Sequence, residues 1–390
     1  MKKRNNFLPI AIPDISDNEI NQVLNTMKSG WISVGPKVKK FEETMARLHK
    51  VKHAIAVHSC TAALFLVAKA LGIGPGDKAI VPSLSWPSTA NIFEQLGATP
   101  IFADVDPRTA NVTVETIEPL LKKHGKTVKA IVPVHMSGLP VDINGLETLG
   151  KKYNIPVFYD AAHAVFSQYN NKPIGAYGLA SCFSFYAIKN LTCGDAGVIT
   201  TNDDALAEEI RLWSYHGMSK DAWKRYSAEG GSPHVECIVP GFKFNLTDLQ
   251  AAIGLAQLER FDELLEKRNK LIGFYNQHLA TWEDIEIPVF KTEAGKWGNH
   301  VYGIRLLDNI YDRDAIMEKL RHWNIGTNIH FHPTHLHYYY RKKYPLIKLT
   351  ATEWLGKNLI SLPLCTKYTQ EDIMYVINVL RQVFDSEAKA

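Results

Sequence analysis

The sequence predicts an α/β fold with a mainly parallel sheet that carries helices on both faces, followed by a smaller C-terminal α+β domain. From residue 53 to about residue 160, short apolar runs alternate with amphipathic stretches, which is typical of parallel strands joined by crossover helices. Beyond residue 300 the order changes to strand, helix and strand before a closing amphipathic helix. With 390 residues, of which 46% are apolar, the chain can bury a large core.

The apolar runs place the elements of the first half in order. Strands are predicted over 53–57, 79–81, 100–103, 128–133 and 157–159, and helices over 61–71, 88–96 and 143–153. Three strands therefore end near Ser59, Ser83 and Asp160. Ligands of open α/β sheets bind just beyond the carboxyl ends of the strands, so we expect the functional site at these three points.

The alternation of predicted strands and helices changes in the second half of the chain. Residues 182–185 and 197–200 are predicted strands with a short irregular link between them, and this link carries Lys189. One long helix is predicted from 246 to about 271, and it could bridge two domains. The later elements are predicted over 301–306, 312–323, 326–331 and 370–384. We predict a large domain over 1–265 and a small one over 266–390, and we expect the N-terminal segment to pack on the small domain.

Composition and charge exclude several classes of protein. The 44 basic and 40 acidic residues are mixed along the chain, so no nucleic-acid footprint stands out. The five cysteines are odd in number and form no CxxC pattern, which argues against disulfides or structural zinc and favours a reducing cytoplasm. No apolar stretch reaches the length of a signal peptide or of a membrane span, so we expect a soluble protein with no membrane partner.

Two residues at strand ends are candidates for chemistry. Lys189 follows an apolar and aromatic run, where lost hydration lowers the pKa of an amine and suits it to form a Schiff base. Asp160 ends an apolar strand, and a buried carboxylate there could keep a pyridine nitrogen protonated. Each has a plainer alternative, because a surface lysine and a helix-capping aspartate are both common.

Two further strand ends complete the set. Cys60 and Thr61 open a helix, where free amides and the helix dipole suit a phosphate monoester, although residues of this kind also cap helices. Trp86 could stack on a planar ring, although a core tryptophan is the commoner outcome. Together the four strand ends supply a phosphate cradle, a stacking ring, a partner for a pyridinium and an imine-forming amine. This combination predicts pyridoxal 5'-phosphate (PLP) as the cofactor.

Several motifs carry a resemblance to a known family. They are Ser-Gly-Trp-Ile-Ser-Val-Gly-Pro over 29–36, Pro-Val-His-x-x-Gly with His135 and Gly138, Asp-Ala-Ala-His over 160–163, Ser-Phe-Tyr-Ala-Ile-Lys-Asn over 184–190 and Asp-Leu-Gln-Ala-Ala over 248–252. In these motifs the chain resembles the PLP-dependent sugar aminotransferases of the DegT/DnrJ/StrS family over nearly its whole length. The resemblance implies fold type I with a seven-stranded sheet, and a homodimer whose active sites are shared between the subunits.

The same resemblance implies roles for individual residues. Lys189 forms the Schiff base, Asp160 pairs with the pyridine nitrogen, and His163 lies against the cofactor ring or its phenolic oxygen. Trp86 stacks on the ring, and the phosphate is bound by Cys60, Thr61 and Ser184. From the partner subunit, either Lys243 or Asn245 reaches the phosphate.

The resemblance also implies the reaction. Related dehydratases carry histidine where this chain has Lys189, so we expect transamination, from an amino acid such as L-glutamate, which leaves 2-oxoglutarate. The acceptor is a nucleotide-linked 4-keto sugar, and the product is a 4-amino-4-deoxy sugar nucleotide for surface polysaccharide, lipopolysaccharide or antibiotic sugars. Stretches such as 325–331 look closest to members that make a UDP-linked 4-amino sugar. A sugar 3-aminotransferase, a dehydratase and a non-catalytic regulator that binds PLP or a sugar nucleotide are the alternatives.

Candidate substrate contacts are aromatic and basic residues on loops. They are Trp31, Tyr215, Lys220, Tyr226, His330 and Arg341. Four histidines cluster in the segment 330–337, at positions 330, 332, 335 and 337, which also suggests a metal site. No carboxylate or cysteine accompanies them and Pro333 interrupts their alternation, so substrate contacts are favoured and no metal is expected.

Overall fold

The computed structural model describes residues 2–218, 236–307 and 311–387. The strands are β1 (His53–Val57), β2 (Lys78–Pro82), β3 (Thr99–Ala103), β4 (Val128–Ile131), β5 (Tyr159–Asp160), β6 (Gln168–Tyr169), β7 (Lys172–Pro173), β8 (Ser181–Ser184), β9 (Gly197–Thr201), β10 (Ile285–Glu286), β11 (Gly295–Lys296), β12 (Tyr302–Leu306) and β13 (Leu359–Leu362). The helices are α1 (Asp17–Ser29), α2 (Pro36–His49), α3 (Cys60–Ala70), α4 (Ser88–Gln95), α5 (Val114–His124), α6 (Ile143–Tyr153), α7 (Asp204–Ser214), α8 (Asp248–Glu259), α9 (Phe261–Leu279), α10 (Arg313–His322), α11 (Tyr338–Lys343), α12 (Thr350–Asn358) and α13 (Gln370–Glu387). No helix among these residues is long and apolar enough to span a bilayer.

The main sheet has the strand order β3-β2-β4-β5-β8-β9-β1. Its two halves join between β4 and β5, where the Asp160 amide donates to the carbonyl of Pro133 at 3.0 Å and the His135 amide donates to the carbonyl of Asp160 at 3.1 Å. All neighbouring pairs are parallel except those of β9, which runs antiparallel to β8 and β1. The predicted mainly parallel, seven-stranded sheet is therefore confirmed.

Helices cover both faces of this sheet. On one face α2, α5 and α6 contribute to an apolar cluster in which Phe41 and Met45 are fully buried. On the other face α3, α4 and α7 pack over the alternate side chains of the same strands. A strand buried on both sides has to be apolar throughout, which explains the continuous apolar runs in the sequence.

A third apolar cluster lies in the C-terminal part, where β10, β12 and β13 form an antiparallel sheet packed by α9, α10 and α13. The N-terminal segment joins this cluster, since Leu8 is buried in it and the Leu8 amide donates to the carbonyl of Asn324 at 2.8 Å.

The predicted domain boundary at residue 265 stays a prediction. Along α9, Leu264 packs in the first cluster and Leu271 in the third.

Two predicted elements are wrong. The helix expected from 246 to 271 is two helices, because the backbone breaks at Arg260 (φ −102°, ψ 14°). Its guanidinium contacts Asp14 and Glu19, each at 3.3 Å, and these ion pairs hold the start of the chain at the break. Residues 326–331 form no strand, since they pair with the C-terminal sheet only through Asn328, opposite Ser361 of β13.

Asp248 links the start of α8 to the start of α2. Its carboxylate accepts from the backbone amides of Lys37 at 3.1 Å and Val38 at 2.9 Å, two of the donors that lack partners at the first turn of α2. The side chain is almost fully buried. The two hydrogen bonds hold the end of the motif over 29–36, where α2 begins, next to the motif over 248–252, where α8 begins.

We predict that Asp248→Ala destabilises the protein by about 1 to 2 kcal/mol, the usual loss when a helix cap is removed. Asp248→Asn should lose less, because its amide oxygen still accepts from one of the two backbone donors. The midpoint of urea unfolding measures both effects. An unchanged midpoint in Asp248→Ala would show that the two bonds contribute nothing.

Candidate active site

Lys189 lies in the irregular link between β8 and β9, at the carboxyl end of β8. Its backbone amide donates to the carbonyl of Tyr186 at 2.9 Å, so the chain turns immediately before it. The side chain is half-buried. Burial lowers the pKa of the Lys189 amine to about 8, and the nearby Cys60 and Asp160 oppose this shift. About a tenth of the amine is therefore unprotonated at pH 7, far more than for an exposed lysine with a pKa of about 10.4.

Asp160 ends β5 and is 5% exposed. One carboxylate oxygen accepts from the Thr89 hydroxyl at 2.8 Å, and the other accepts from the Ala162 amide at 3.1 Å. Burial raises the pKa of Asp160, while these two hydrogen bonds and the Lys189 charge lower it. A carboxyl group has about four acceptor positions, so further capacity remains for a donor in the site. Thr89, which sequence reasoning missed, orients this group from the start of α4.

The start of α3 offers backbone donors at the same edge of the sheet. Ser59 caps the helix, its hydroxyl accepting from the Ala62 amide at 3.2 Å, while the first amides, those of Cys60 and Thr61, have no acceptor within the helix. The Cys60 thiol is turned away toward the carbonyl of Cys182 at 3.5 Å. Any contribution from Cys60 to anion binding therefore comes from its backbone amide.

Ser184 lies beside the start of α3 because of the strand register. It pairs with Gly197, and Gly197 pairs with Val57 at the end of β1. A Cβ atom at Gly197 would lie 2.3 Å from the carbonyl oxygen of Ser59. Only glycine permits β9 to begin this close to the helix start, and the approach brings Ser184 to the edge where the free amides lie.

His163 is buried in the same edge, and its imidazole Nδ1 accepts from the Ser137 amide at 3.2 Å. A nitrogen that accepts is unprotonated, so the ring carries its proton on Nε2. Burial, and secondarily the Lys189 charge, keep the pKa of His163 well below its usual value. The imidazole is thus a neutral donor on its Nε2 side.

Sequence reasoning missed His300 and Phe331, which pack against His163. The ring centroids lie 4.5 Å and 5.8 Å from that of His163, respectively. The ring of His330, a predicted substrate contact, lies 6.5 Å from that of His163, and its Nδ1 bonds the Ser361 hydroxyl at 2.8 Å. Burial lowers the pKa of His330 to about 4, and the Lys189 charge adds to the shift. The histidine-rich pattern of 330–337 signalled this neighbourhood, but no local pattern signalled His300.

Trp86 is 64% exposed, so the structure does not place it in the core. Its ring centroid lies 6.0 Å from that of Phe331. Phe331 therefore contacts both the indole of Trp86 and the imidazole of His163. The three rings form an aromatic wall from solvent down to the buried edge, and the stacking role of Trp86 on a cofactor ring stays a prediction.

Lys243 and Asn245 lie on a segment that pairs with neighbouring strands of the same chain. Asn245 pairs with Val57 at the end of β1, and its side-chain oxygen is buried without a hydrogen-bond partner among the described residues. The Lys243 ammonium lies 4.0 Å from the ring centroid of Tyr215, a predicted substrate contact. Which of the two reaches a phosphate in the partner subunit stays a prediction.

The other predicted substrate residues lie apart. Trp31 is partly exposed and packs beside Gly35, while Arg341 is exposed on α11, with no contact to the Lys189 neighbourhood among the described residues. Lys220 and Tyr226 lie outside the described residues.

The side chains of the histidine-rich segment diverge rather than converge. His330 bonds Ser361, His335 bonds the Ser83 hydroxyl at 2.6 Å, and the rings of the other two, His332 and His337, contact each other at 4.8 Å. No set of three or more metal-ligating side chains comes together within 2–218, 236–307 and 311–387.

The residues at this edge fit PLP chemically. The amine with the lowered pKa matches the aldehyde of PLP, and the buried carboxyl with acceptor capacity matches the pyridine nitrogen. The free helix amides match the phosphate, and the aromatic wall matches the ring. The fold and this chemistry define a PLP-dependent aminotransferase of fold type I. The chain belongs to the DegT/DnrJ/EryC1/StrS aminotransferase family, whose sequence profile matches residues 13–381.

Proteins that are similar in sequence or in structure support the same family assignment. The spore coat polysaccharide biosynthesis protein SpsC of Bacillus subtilis (strain 168) is 40% identical over 388 residues, which cover 98% of each chain. The PLP form of the putative sugar aminotransferase Spr1654 from Streptococcus pneumoniae superposes with a TM-score of 0.89 at 28% identity, covering 98% of this chain and 99% of that one. Helicobacter pylori PseC, an aminotransferase of pseudoaminic acid biosynthesis, gives 0.90 at 27% identity, covering 97% and 100%. The predicted family, enzyme class and cofactor are confirmed.

We predict that the reactivity of Lys189 in the cofactor-free protein follows a pKa of about 8. Its rate of acetylation by acetic anhydride should rise about tenfold for each pH unit below that value and level off above it, since only the unprotonated amine reacts. Exposed lysines in the same digest serve as internal controls, with an ordinary pKa of about 10.4. Peptide mass spectrometry measures the rates, and a Lys189 profile that matches the exposed lysines would contradict the prediction.

Proposed function

We propose that this enzyme transfers an amino group from L-glutamate to the C4 keto group of a nucleotide-linked sugar. The observation that carries the proposal is the buried edge where the Lys189 amine, with its lowered pKa, lies close to the Asp160 carboxyl, in a chain of the sugar aminotransferase family. The products are 2-oxoglutarate and a 4-amino-4-deoxy sugar nucleotide.

Each residue of the edge has a proposed task. When bound, PLP supplies an electron sink for the α-carbon of the amino donor. The Lys189 amine binds the cofactor and, once free, carries the proton from that carbon. Asp160 holds a proton on the pyridine nitrogen, with its own carboxyl oriented by Thr89 and Ala162. His163 lies against the ring or its phenolic oxygen and donates from Nε2, the position that its bond with Ser137 leaves protonated.

We propose that the phosphate is held by the amides of Cys60 and Thr61, with the Ser184 hydroxyl beside them. In a homodimer with shared sites, Lys243 or Asn245 of the partner subunit completes this cradle. The exposed Lys243 ammonium supports a contact of this kind, since an ammonium donates to phosphate oxygens. Trp86 stacks on the cofactor ring in this proposal.

The nucleotide-linked acceptor is supported by relatives. DesI, whose structure was determined in the presence of its TDP-sugar product, superposes with a TM-score of 0.86 at 28% identity, covering 97% of this chain and 93% of that one. For this chain, the proposed contacts to sugar, phosphates and base are Trp31, Tyr215, Lys220, Tyr226, His330 and Arg341. The relation to SpsC supports a product used for surface polysaccharide. All five cysteines are free, which supports a cytoplasmic location.

We predict that Lys189→Ala abolishes both turnover and the visible absorbance of the Schiff base with the cofactor, because no amine remains to bind it covalently. Asp160→Asn should keep the absorbance but lower kcat by about 10² to 10⁴, the range for a positioned proton-holding group. Absorbance spectra and steady-state rates measure the two effects. Activity retained in Lys189→Ala would remove the basis of the proposal.

We predict that a panel of UDP-, dTDP- and GDP-linked 4-keto and 3-keto sugars, supplied with L-glutamate, yields a 4-amino product. Mass spectrometry identifies the product, and NMR identifies the aminated carbon. A 3-amino product would point to the alternative regiochemistry, and loss of water without amine gain would point to a dehydratase. If glutamate fails to convert the cofactor to its amine form in the absence of sugar, L-glutamate is not the amino donor and this part of the proposal is wrong.

A further inference from the structure

Asn190, the residue after Lys189, is buried and makes two side-chain hydrogen bonds to one loop of the C-terminal part. Its amide nitrogen donates to the carbonyl of Gly298 at 2.5 Å, and its amide oxygen lies 2.8 Å from Nδ1 of His300. The two bonds cross more than a hundred positions in sequence, from the link between β8 and β9 to the residues just before β12.

The geometry fixes which atom of His300 carries the proton. A backbone carbonyl only accepts, so the NH₂ group of Asn190 has to face Gly298 and its oxygen has to face His300. Nδ1 of His300 therefore donates, and Nε2 is left unprotonated. Burial keeps the pKa of His300 well below its usual value, and the Lys189 charge adds to the shift, so the ring stays neutral.

The loop that carries His300 is itself held firmly. The Gly298 amide donates to the carbonyl of Gly138 at 2.9 Å, and the His300 amide donates to the carbonyl of Ser137 at 3.2 Å. From α9, the buried guanidinium of Arg268 donates to the carbonyls of residues 299 and 300, each at 2.8 Å. Asn190 is thus attached to a support that is fixed from two sides.

The segment that carries Lys189 is held mainly at its later residues, where Leu191 and Cys193 are almost fully buried. Between β8 and β9 it forms no helix or strand, and its polar side chains include Asn190 and Thr192, both of which are buried. The Thr192 hydroxyl accepts from the Gly194 amide at 2.9 Å, and the Thr192 amide donates to the side-chain oxygen of Gln257 in α8 at 3.4 Å. Asn190 is the residue directly after Lys189, and its two side-chain bonds attach this end of the segment to the fixed loop at 298–300.

We propose that Asn190 and His300 are positioning residues, a hydrogen-bonded pair that keeps the Lys189 amine turned into the buried edge beside Asp160. The inference rests on the proposed function, because it concerns the residue that holds the cofactor. His300 acts through Asn190, and it also packs against the ring of His163 at 4.5 Å. Without the pair, the segment loosens and the Lys189 amine gains access to water.

The test measures the pKa of Lys189 in cofactor-free protein by the pH dependence of its acetylation, followed by peptide mass spectrometry. Asn190→Ala and His300→Leu should raise this pKa by about one unit toward the value of a hydrated lysine, so acetylation at pH 7 falls about tenfold. His300→Gln retains a donor for the Asn190 oxygen and should keep the pKa close to that of the wild type.

His49→Phe is the matched control. His49 is as buried as His300 and stacks on Phe183 at 4.4 Å, but its ring nitrogens have no hydrogen-bond partner among the described residues. It should leave the acetylation profile of Lys189 unchanged. A purely structural role for the pair would lower the urea midpoint of the folded variants without moving the Lys189 pKa, and that result would overturn the proposal.

A second measurement needs no variant. Long-range ¹⁵N correlation spectra of the imidazoles in the wild-type protein should show His300 protonated on Nδ1 and unprotonated on Nε2. The opposite tautomer would overturn the proposed pair even if a variant failed to fold. Both measurements use protein without cofactor. If PLP proved not to bond to Lys189 while the acetylation shift and the tautomer were as expected, the proposed function would fail and the positioning pair would stand.

Discussion

The structure depends on keeping an amine and a carboxyl group at one buried edge of the sheet. Burial disfavours the charged form of each, lowering the pKa of Lys189 and raising that of Asp160, while each charge favours the ionised form of the other. A buried charge without a partner is costly, so the surrounding structure has to supply hydrogen bonds. Thr89 and Ala162 do this for the carboxyl.

The single antiparallel strand of the main sheet explains how the amine reaches this edge. Two parallel neighbours need a crossover connection of a dozen or more residues, usually with a helix, whereas antiparallel neighbours need only a short return. Because β9 is antiparallel to β8, the chain turns back at the carboxyl end of β8 without leaving the edge. The link can therefore present Lys189 beside the end of β5, where Asp160 lies, and beside the start of α3.

Much of this arrangement could be predicted from the sequence. The strand ends near Ser59 and Asp160 follow from continuous apolar runs, and Lys189 stands out because it directly follows such a run. Thr89, His300 and Phe331 could not be predicted in this way, since each reaches the site through contacts between distant segments, and none breaks a local pattern. The break at Arg260 was missed for the same reason. The Arg260 guanidinium pairs at this break with Asp14 and Glu19, more than 240 positions away, and the apolar spacing of 246–271 contains no sign of them.

Residues 4–10 pack against the C-terminal part of the molecule, which is synthesised much later than they are. Leu8 lies in the cluster built by β12, β13 and α13, the Arg4 guanidinium is paired with Asp372 at 2.5 Å, and the Ile10 carbonyl accepts from the Leu364 amide at 2.9 Å. On the ribosome, the first ten residues emerge long before any of these partners exists. The contacts of Arg4 with Asp372 and of Ile10 with Leu364 each join residues more than 350 positions apart, so this segment reaches its place late in folding.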